Sequence, residues 1–266
     1  MNKGPHSVAS MSPASCRSLT GILFDIDDTV TSGGKLVPES YAAMWAIKQA
    51  GLRLIAVTGR PAGWADQIAR LWPVDGVVGE NGGLWFFQGP EKLERRFLQS
   101  PPERKHNKKR LEELAAKILS VVPGSALASD QAYRELDLAI DFCEDVERLS
   151  PSSIKEICRQ FTLAGSTHKV SSIHVNGWFG DFDKWTGCSY LIREFFSEEL
   201  EDTTEQWAYF GDSANDEPMF KRFNNSIGVA NVRAFLPMMT HHPKFICDAE
   251  GGAGFAQGVQ HILDNR

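Results

Sequence analysis

The sequence predicts an α/β protein, in which a doubly wound, Rossmann-like parallel sheet carries an inserted α+β domain. Short apolar runs end abruptly in polar or glycine-rich segments, and predicted helices alternate with these runs. The middle of the chain has a different pattern from its two ends. A chain of 266 residues is long enough for one large domain or two modest ones.

Buried parallel strands are predicted in the first third of the chain. The apolar run at residues 22–24 ends in DIDDT, the run at 54–57 ends in TGR, and the pair at 77–78 leads to ENGG. Such continuous runs are typical of parallel strands covered on both faces. Proline opens the predicted helix after each of the first two runs. The alternation of strand and helix predicts right-handed βαβ units.

Half-buried strands and amphipathic helices are predicted in the middle of the chain. Apolar residues alternate with polar or small ones over residues 136–142 and 173–176, as in strands with one exposed face. Residues 111–119 place apolar side chains at helical spacing. Continuous apolar runs return from residue 207 onward. The first domain is therefore expected to be discontinuous.

The expected domain boundaries follow from these changes of pattern. We expect a core over residues 19–87 and 179–266, with an inserted α/β domain over residues 88–178. Residues 1–18 are rich in serine and poor in apolar side chains, which is typical of a flexible tail.

The amino-acid composition indicates which binding partners and which cellular compartment to expect. The formal net charge is −6 and the sequence pI about 5.7, so a nucleic acid or an anionic membrane is not an expected partner. Five scattered cysteines without a CxxC pair are typical of a reducing compartment. No apolar stretch approaches the length of a membrane span, and the N-terminus has no apolar leader. The expected location is the cytoplasm.

Acidic and hydroxyl side chains follow three of the predicted strands. Asp25 and Asp27 end the first strand, Thr58 ends the second, and Asp212 follows the run at residues 207–210. The carboxyl ends of such strands form the ligand crevice of open α/β sheets, so these side chains are expected to converge. Three carboxylates in one crevice need a cation to stay ionised. Oxygen ligands without His or Cys favour Mg²⁺.

A hydroxyl group and an ammonium group at the same rim suit a phosphate. Thr58 supplies the hydroxyl, and Lys184 begins the helix after the inserted domain. Two carboxylates two residues apart can divide the work of phosphoryl transfer. One can attack as nucleophile, while the other protonates the leaving group and later activates water.

Together these segments resemble the four motifs of the haloacid dehalogenase superfamily of phosphatases. The motifs are DxDxT at residues 25–29, Thr58, Lys184 and GDSAND at residues 211–216. The resemblance covers residues 20–266 and implies an aspartyl-phosphate mechanism. It implies Asp25 as the nucleophile and Asp27 as the general acid and base.

The resemblance also implies a ligand set. Thr58, Gly59, Lys184 and Asn215 would bind phosphate. Mg²⁺ would be held by Asp25, by Asp27 through its backbone carbonyl, and by Asp212, with support from Asp216.

The place of the insertion implies a subgroup. Between Thr58 and Lys184 there is room for the third strand and an insert of about ninety residues. This is similar to the type-IIB cap of Cof-type, sucrose-phosphate and mannosyl-phosphoglycerate phosphatases and of phosphomannomutases. The resemblance therefore implies a Mg²⁺-dependent phosphatase that acts on a small phosphomonoester, with a sugar phosphate favoured.

Substrate-contacting residues are expected on the open face of the inserted sheet. Strand alternation places His174, Asn176, Asp137 and Asp141 on that face. The same pattern also fits a solvent-exposed or dimer-forming face, and the oligomeric state stays open.

Two other functions are compatible with the motifs. A phosphomutase of the phosphomannomutase type would need cap arginines for a distal phosphate, and Arg134 is the one candidate in the predicted cap strands. A catalytically silent metabolite-binding protein is disfavoured by the intact motif residues.

Overall fold

The structure is a computed structural model that describes residues 4–171 and 173–266. Over these ranges the strands are β1 (His6–Ser7), β2 (Gly21–Asp25), β3 (Thr31–Ser32), β4 (Lys35–Leu36), β5 (Arg53–Val57), β6 (Gly76–Gly79), β7 (Leu84–Gln88), β8 (Leu93–Phe97), β9 (Ala126–Leu127), β10 (Asp137–Asp141), β11 (Thr167–Val170), β12 (His174–Trp178), β13 (Trp207–Gly211), β14 (Asn225–Gly228) and β15 (Phe245–Ile246). The α-helices are α1 (Pro13–Ser18), α2 (Pro38–Gln49), α3 (Ala62–Leu71), α4 (Pro101–Val121), α5 (Pro151–Leu163), α6 (Lys184–Phe196), α7 (Leu200–Thr203), α8 (Glu217–Arg222) and α9 (Gly251–Asp264).

The core is built on one large sheet in the order β1-β15-β14-β13-β2-β5-β6-β7-β8. Neighbours from β1 to β6 in this order are parallel, and β7 and β8 add an antiparallel hairpin at one edge. Strand β2 lies at the centre, between β13 and β5. The polar segments that follow these three strands therefore meet at one edge of the sheet.

Helices cover both faces of this sheet, as a doubly wound fold requires. Phe24 packs with Met44 of α2 and Phe255 of α9 on one face. Its neighbour Leu23 packs with Leu191 of α6 on the other. The predicted α/β fold with a doubly wound parallel core is confirmed.

The inserted domain has its own antiparallel sheet, in the order β11-β12-β10-β9. Helices α4 and α5 pack on one of its faces, where Ile118 and Phe161 contact the apolar cluster that includes Ile140 and Val175. The opposite face is turned toward the core. We call this inserted domain the cap.

The structure differs from the expected cap boundary at its first residues. Residues 88–97 belong to the core, because β8 pairs with β7 along its whole length. The cap follows this hairpin and begins with α4. Three consecutive charged residues in β8, Glu94, Arg95 and Arg96, differ from the continuous apolar runs of the other core strands, and the expected boundary at residue 88 therefore lies before this edge strand.

The structure also differs from the expected flexible tail. Strand β1 pairs with β15 through His6–Phe245 and Ser7–Ile246, and Cys16 of α1 is fully buried in the core. Val8 and Met11 are buried as well. Together with Cys16, these apolar side chains hold the serine-rich segment against the core. In the described ranges, every helix is too short or too polar to cross a bilayer.

Candidate active site

Three buried carboxylates converge at the carboxyl edge of the core sheet. Asp25 is the last residue of β2, and Asp212 directly follows the neighbouring strand β13. One carboxylate oxygen from each of Asp25, Asp212 and Asp216 lies within 4.8 Å of the others. The parallel register of β2 and β13 therefore brings residues from opposite ends of the chain into one cluster.

Lys184 bridges two members of this cluster. Its Nζ donates to Asp25 Oδ1 at 2.6 Å and to Asp216 Oδ1 at 2.7 Å. Burial by itself would lower the pKa of Lys184, but Asp216 and Asp25 raise it above its usual range. The lysine is therefore a fixed ammonium. Asp183 caps the start of α6 by accepting from the backbone N–H of Thr186, which fixes where this helix begins.

Asp216 is held from three further directions. It accepts from Tyr209 Oη at 2.5 Å and from the backbone N–H groups of Asp212 and Ser213 at 3.0 and 3.3 Å. A Cβ on Gly211 would lie 2.6 Å from the carboxyl carbon of Asp216. Glycine is therefore required at the first position of GDSAND, so that the loop can close on Asp216.

The charge balance of the cluster favours a bound cation. Burial raises the pKa of Asp25 to about 8, and Asp216 adds to the effect, although Lys184 opposes it. Burial together with Asp216 and Asp25 also raises the pKa of Asp212 well above its usual range. One ammonium faces three carboxylates here. Oxygen donors in this number and charge fit a hard divalent ion such as Mg²⁺.

The carboxylate of Asp27 points away from this cluster and binds Arg60. Arg60 donates through Nε to both carboxylate oxygens at 3.1 Å and through Nη2 to Oδ1 at 3.0 Å. The guanidinium also lies 3.5 Å from Asp130 and from Glu144 of the cap. The carboxylate of Asp27 is therefore engaged by a cationic side chain of the protein itself, and its carbonyl as a metal ligand stays a prediction.

The loop after β5 forms the floor beside Asp25. Thr58 is fully buried, and its Oγ1 accepts from the backbone N–H of Arg60 at 2.9 Å. Gly59 follows, and a Cβ there would lie 3.1 Å from the side-chain oxygen of Asn81. Asn215 lies on the other side of the cavity, where its Oδ1 accepts from Ser213 Oγ at 3.0 Å. Gly59 and Asn215, two of the predicted phosphate-binding residues, therefore line the same cavity as Asp25.

Asn81 contributes a side chain that the sequence interpretation left without a role. Its backbone N–H donates to the carbonyl of Thr58 at 3.1 Å, and its φ of +56° is one that asparagine tolerates better than most residues. The side chain is only 8% exposed and lines the cavity. Its Nδ2 has no hydrogen-bond partner within the described ranges, so a buried donor faces the site.

Core and cap enclose one cavity above these residues. Its volume is about 50 Å³, enough for a few water molecules. The cavity is lined by Asp25, Asp27, Gly59, Arg60, Asn81, Arg134, Lys169, Ser171, Ile173, His174, Asn176, Asp212, Ser213 and Asn215.

The cap face reaches the cavity through two of the expected residues of β12. His174 and Asn176 both line it and are nearly fully buried. His174 Nε2 lies 2.9 Å from Glu144 Oε2. Burial and the nearby Arg134 lower the pKa of His174 to about 4. The imidazole is therefore neutral near pH 7.

The two cap aspartates are in the expected strand but do not line the cavity. Asp141 accepts from the backbone N–H groups of Cys143, Glu144 and Asp145, each at 2.8 Å. It holds the turn after β10, so we correct its expected role as a substrate contact. Strand alternation gives the face of a residue but cannot show that a neighbouring turn occupies its carboxylate.

Asp137 is also engaged within the protein. It accepts from Arg134 Nη1 at 2.8 Å and from Asn176 Nδ2 at 3.1 Å. Its expected role as a direct contact is corrected to that of a support for Asn176. Arg134 borders the cavity, but it also binds Asp130 and donates to the carbonyl of Gly59 at 3.0 Å. Its guanidinium therefore joins cap to core.

Glu80 provides a second hydrogen-bonded contact between core and cap. Its carboxylate accepts from the backbone N–H of Ala62 at the start of α3, and from those of Glu135, Leu136 and Asp137 in the cap. The four distances are between 2.6 and 3.1 Å. Burial raises the pKa of Glu80 to about 7, with a further contribution from Asp137. The ENGG segment was visible in the sequence, but its partners could be found only from the fold.

The chain matches a known family over part of its length. The profile of the haloacid dehalogenase-like hydrolases matches residues 22–119, which contain the DxDxT and TGR segments. No curated protein sequence matches the chain.

Several solved structures share the fold over nearly the whole chain. A Thermoplasma acidophilum protein is 18% identical, with a TM-score of 0.70 and coverage of 92% of this chain and 98% of that one. The sucrose-phosphatase of Synechocystis, solved with sucrose and phosphate, is 14% identical, with a TM-score of 0.63 and coverage of 92% and 98%. The C-terminal domain of trehalose-6-phosphate phosphatase from C. albicans is 12% identical, with a TM-score of 0.69 and coverage of 99% of both chains. The predicted resemblance to the haloacid dehalogenase superfamily is therefore found over residues 22–119, and the solved structures share the fold over nearly the whole chain.

Proposed function

We propose that this protein is a haloacid dehalogenase-like hydrolase, a Mg²⁺-dependent phosphatase that acts on a small phosphomonoester, with a sugar phosphate as the favoured class. The observation that carries the proposal is the convergence of four distant segments around Asp25, which lines the cavity between core and cap. Asp25, Thr58, Lys184 and Asp212 come from these segments, and Asp25 is in contact with the fixed ammonium of Lys184. The sugar phosphatases among the structures of the same fold support the substrate class.

In the proposed reaction, Asp25 attacks phosphorus and forms an aspartyl-phosphate as the alcohol leaves. Lys184, the backbone of Gly59 and the amide of Asn81 bind the phosphoryl oxygens, so that charge on the transferring group is neutralised. Asp25, Asp212 and the backbone carbonyl of Asp27 would hold Mg²⁺, which supplies further neutralisation of that charge when bound.

Asp27 is the proposed general acid and base. It donates a proton to the leaving oxygen and then accepts one from the water that hydrolyses the aspartyl-phosphate. In the described arrangement its carboxylate is bound to Arg60. Because Asp27 also lines the cavity, Arg60 is proposed to orient this carboxylate toward the leaving oxygen.

The cap favours small substrates over phosphoproteins. The cavity between core and cap has a volume of about 50 Å³, which suits a few water molecules better than a hexose. Substrate therefore enters when the cap moves away from the core, and closure then excludes bulk water. We propose a small phosphorylated metabolite as the partner and the cytoplasm as the location.

The phosphomutase alternative loses its main support in the structure. Arg134 was its candidate for a distal phosphate, but this guanidinium is bound by Asp130, Asp137 and the carbonyl of Gly59. Product analysis with a hexose bisphosphate separates mutase from phosphatase.

The test is phosphate release from a panel of phosphorylated metabolites and p-nitrophenyl phosphate, with Mg²⁺ and with excess EDTA. Wild-type protein should release phosphate only with Mg²⁺. Asp25→Asn should lower turnover at least about a thousandfold, because an amide cannot form the intermediate, and the melting temperature should confirm that it folds. Asp66→Asn, on the exposed face of α3, is the matched control. Full activity in EDTA, or near wild-type turnover by Asp25→Asn, would refute the proposal.

A further inference from the structure

The cationic side chains of the active-site cavity differ in how they are paired. Lys184 is bound by two carboxylates. Arg60 is bound by Asp27 and lies near two cap acids. Arg134 is bound by Asp130 and Asp137. Lys169 also lines the cavity, but within residues 4–171 and 173–266 its ammonium has no ion-pair or hydrogen-bond partner.

Lys169 belongs to the substrate side of the cap. It lies in β11 directly opposite Asn176 of β12, and residues opposite each other in an antiparallel pair share a face. Its neighbour His168 stacks on Phe161 of α5, so the alternate positions of β11 face the cap helices. The side chain of Lys169 therefore projects on the face that covers the core site, and it is exposed there.

Apart from Lys169 and the ion-paired Arg134, the cap residues around the cavity offer neutral groups. They are the hydroxyl of Ser171, the side chain of Ile173, the neutral imidazole of His174 and the amide of Asn176. The transferring phosphoryl group already has a dedicated ammonium in Lys184, at the core. A second, unpaired ammonium on the cap is therefore available for a different anionic group, at the far end of the substrate.

We propose that Lys169 binds a second anionic group on the leaving part of the substrate, either a carboxylate or another phosphate. This inference rests on the proposed phosphatase function and narrows its substrate class, from phosphomonoesters in general to those whose leaving group is itself negatively charged. Lys169 is thus a specificity residue that contacts the leaving group, and it has no part in the transfer of the phosphoryl group.

The test uses three phosphate esters with related six-carbon skeletons and different far ends. Glucose 6-phosphate carries no further charge, 6-phosphogluconate adds a carboxylate, and glucose 1,6-bisphosphate adds a second phosphate. We expect wild-type protein to prefer one or both of the charged compounds by at least tenfold in kcat/KM. The preferred compound then identifies the anionic group.

Lys169→Gln should remove this preference. We expect at least a tenfold loss of kcat/KM on the charged compound, mainly through KM, and a change of less than twofold on glucose 6-phosphate and p-nitrophenyl phosphate. Lys155→Gln is the matched control, because it removes the same charge from an exposed position on α5 that does not line the cavity. It should change none of these values.

Two results would overturn the inference. One is a wild-type protein that does not distinguish the charged from the uncharged compounds. The other is an equal loss on all substrates for Lys169→Gln, which would place this ammonium on the transferring phosphoryl group.

A binding measurement separates this inference from the proposed function. Calorimetry with Asp25→Asn measures affinity for the three esters without turnover. Failure of the phosphatase proposal appears as no phosphate release from any compound by wild-type protein. Failure of the present inference appears as equal affinities for the three esters, or as a preference for a charged ester that Lys169→Gln leaves intact.

Discussion

The guanidinium of Arg60 holds the carboxylate of Asp27 in a two-sided contact, with three N–O distances between 3.0 and 3.1 Å. Because the same guanidinium lies 3.5 Å from the cap residues Asp130 and Glu144, it is in contact with the proposed acid and base on one side and with the cap on the other. The orientation of Asp27 is therefore linked to the position of the cap.

Replacing this guanidinium should impair the step that protonates the leaving group. Arg60→Gln leaves Asp27 without its bidentate partner, so we expect kcat to fall about ten- to a hundredfold on alkyl phosphates. The loss on p-nitrophenyl phosphate should be smaller, because its leaving group needs little protonation. Steady-state kinetics on both substrates provides the measurement, with Arg70→Gln, which is paired with Asp66 on the surface, as control. Equal losses on the two substrates would contradict a role through Asp27.

The carboxylate cluster predicts a specific effect on metal affinity. Asp212→Asn removes one charged oxygen donor from a cluster whose three oxygens lie within 4.8 Å. We expect the Mg²⁺ concentration for half-maximal activity to rise at least about tenfold, whereas Ca²⁺ should not restore turnover because its coordination shell is larger and looser. Titration of activity against each ion measures this. An unchanged Mg²⁺ requirement would exclude Asp212 as a ligand.

Replacement of His174 or Asn176 should lower activity to an extent that depends on the substrate. Both side chains contact the cavity from the cap and lie away from the phosphate-binding residues of the core. Replacing either with alanine should lower kcat/KM for the preferred metabolite by about ten- to a hundredfold, corresponding to about 1–3 kcal/mol for a lost hydrogen bond. The kcat/KM for a generic aryl phosphate should not change in these variants, whereas Lys184→Ala should lower kcat/KM for every substrate. Equal losses on all substrates for His174→Ala would contradict its placement on the leaving group.

The contribution of Glu80 to the stability of the folded protein should depend on pH. The pKa of Glu80 is raised from 4.5 to about 7 in the folded protein, so between these values the folded state binds more protons than the unfolded state. Its contribution to the free energy of unfolding therefore falls as pH rises from about 4.5 to 7. Urea unfolding across this range should show a steeper fall for wild type than for Glu80→Gln.

The same substitution should lower stability at every pH. The amide of glutamine offers one acceptor oxygen for four backbone donors, so two N–H groups lose their acceptor. We expect the free energy of unfolding to fall by about 2–4 kcal/mol. Equal pH slopes for the two proteins would show that Glu80 does not titrate as described.

The core of the site could be predicted from the sequence because its geometry follows from a regular element. Parallel strands end at a common edge, so Asp25, Thr58 and Asp212 had to meet once their strands were recognised. Lys184 could be placed in the same way, as the first residue of a helix. These positions depend on the backbone pattern and require no knowledge of side-chain partners.

The contacts between core and cap could not be predicted in this way. Strand alternation placed Asp137 and Asp141 on the correct face, but one binds Arg134 and the other holds a turn. Glu80 and Asn81 follow a strand as Asp25 and Thr58 do, yet the partners of Glu80 and Asn81 depend on how the core and the cap dock. Lys169 was missed because a single lysine among polar residues has no distinctive spacing.

The pairing of β1 with β15 has a consequence for the order in which the chain can fold during synthesis. Strand β1 is translated long before its partner β15, and His261 of α9 lies 3.0 Å from the carbonyl of Met11. The N-terminal segment must therefore wait, without its native contacts, until translation of the core is nearly finished. Deletion of β15 and α9 would leave Val8, Met11 and Cys16 without these partners, so the docking of this early segment depends on residues translated more than two hundred positions later.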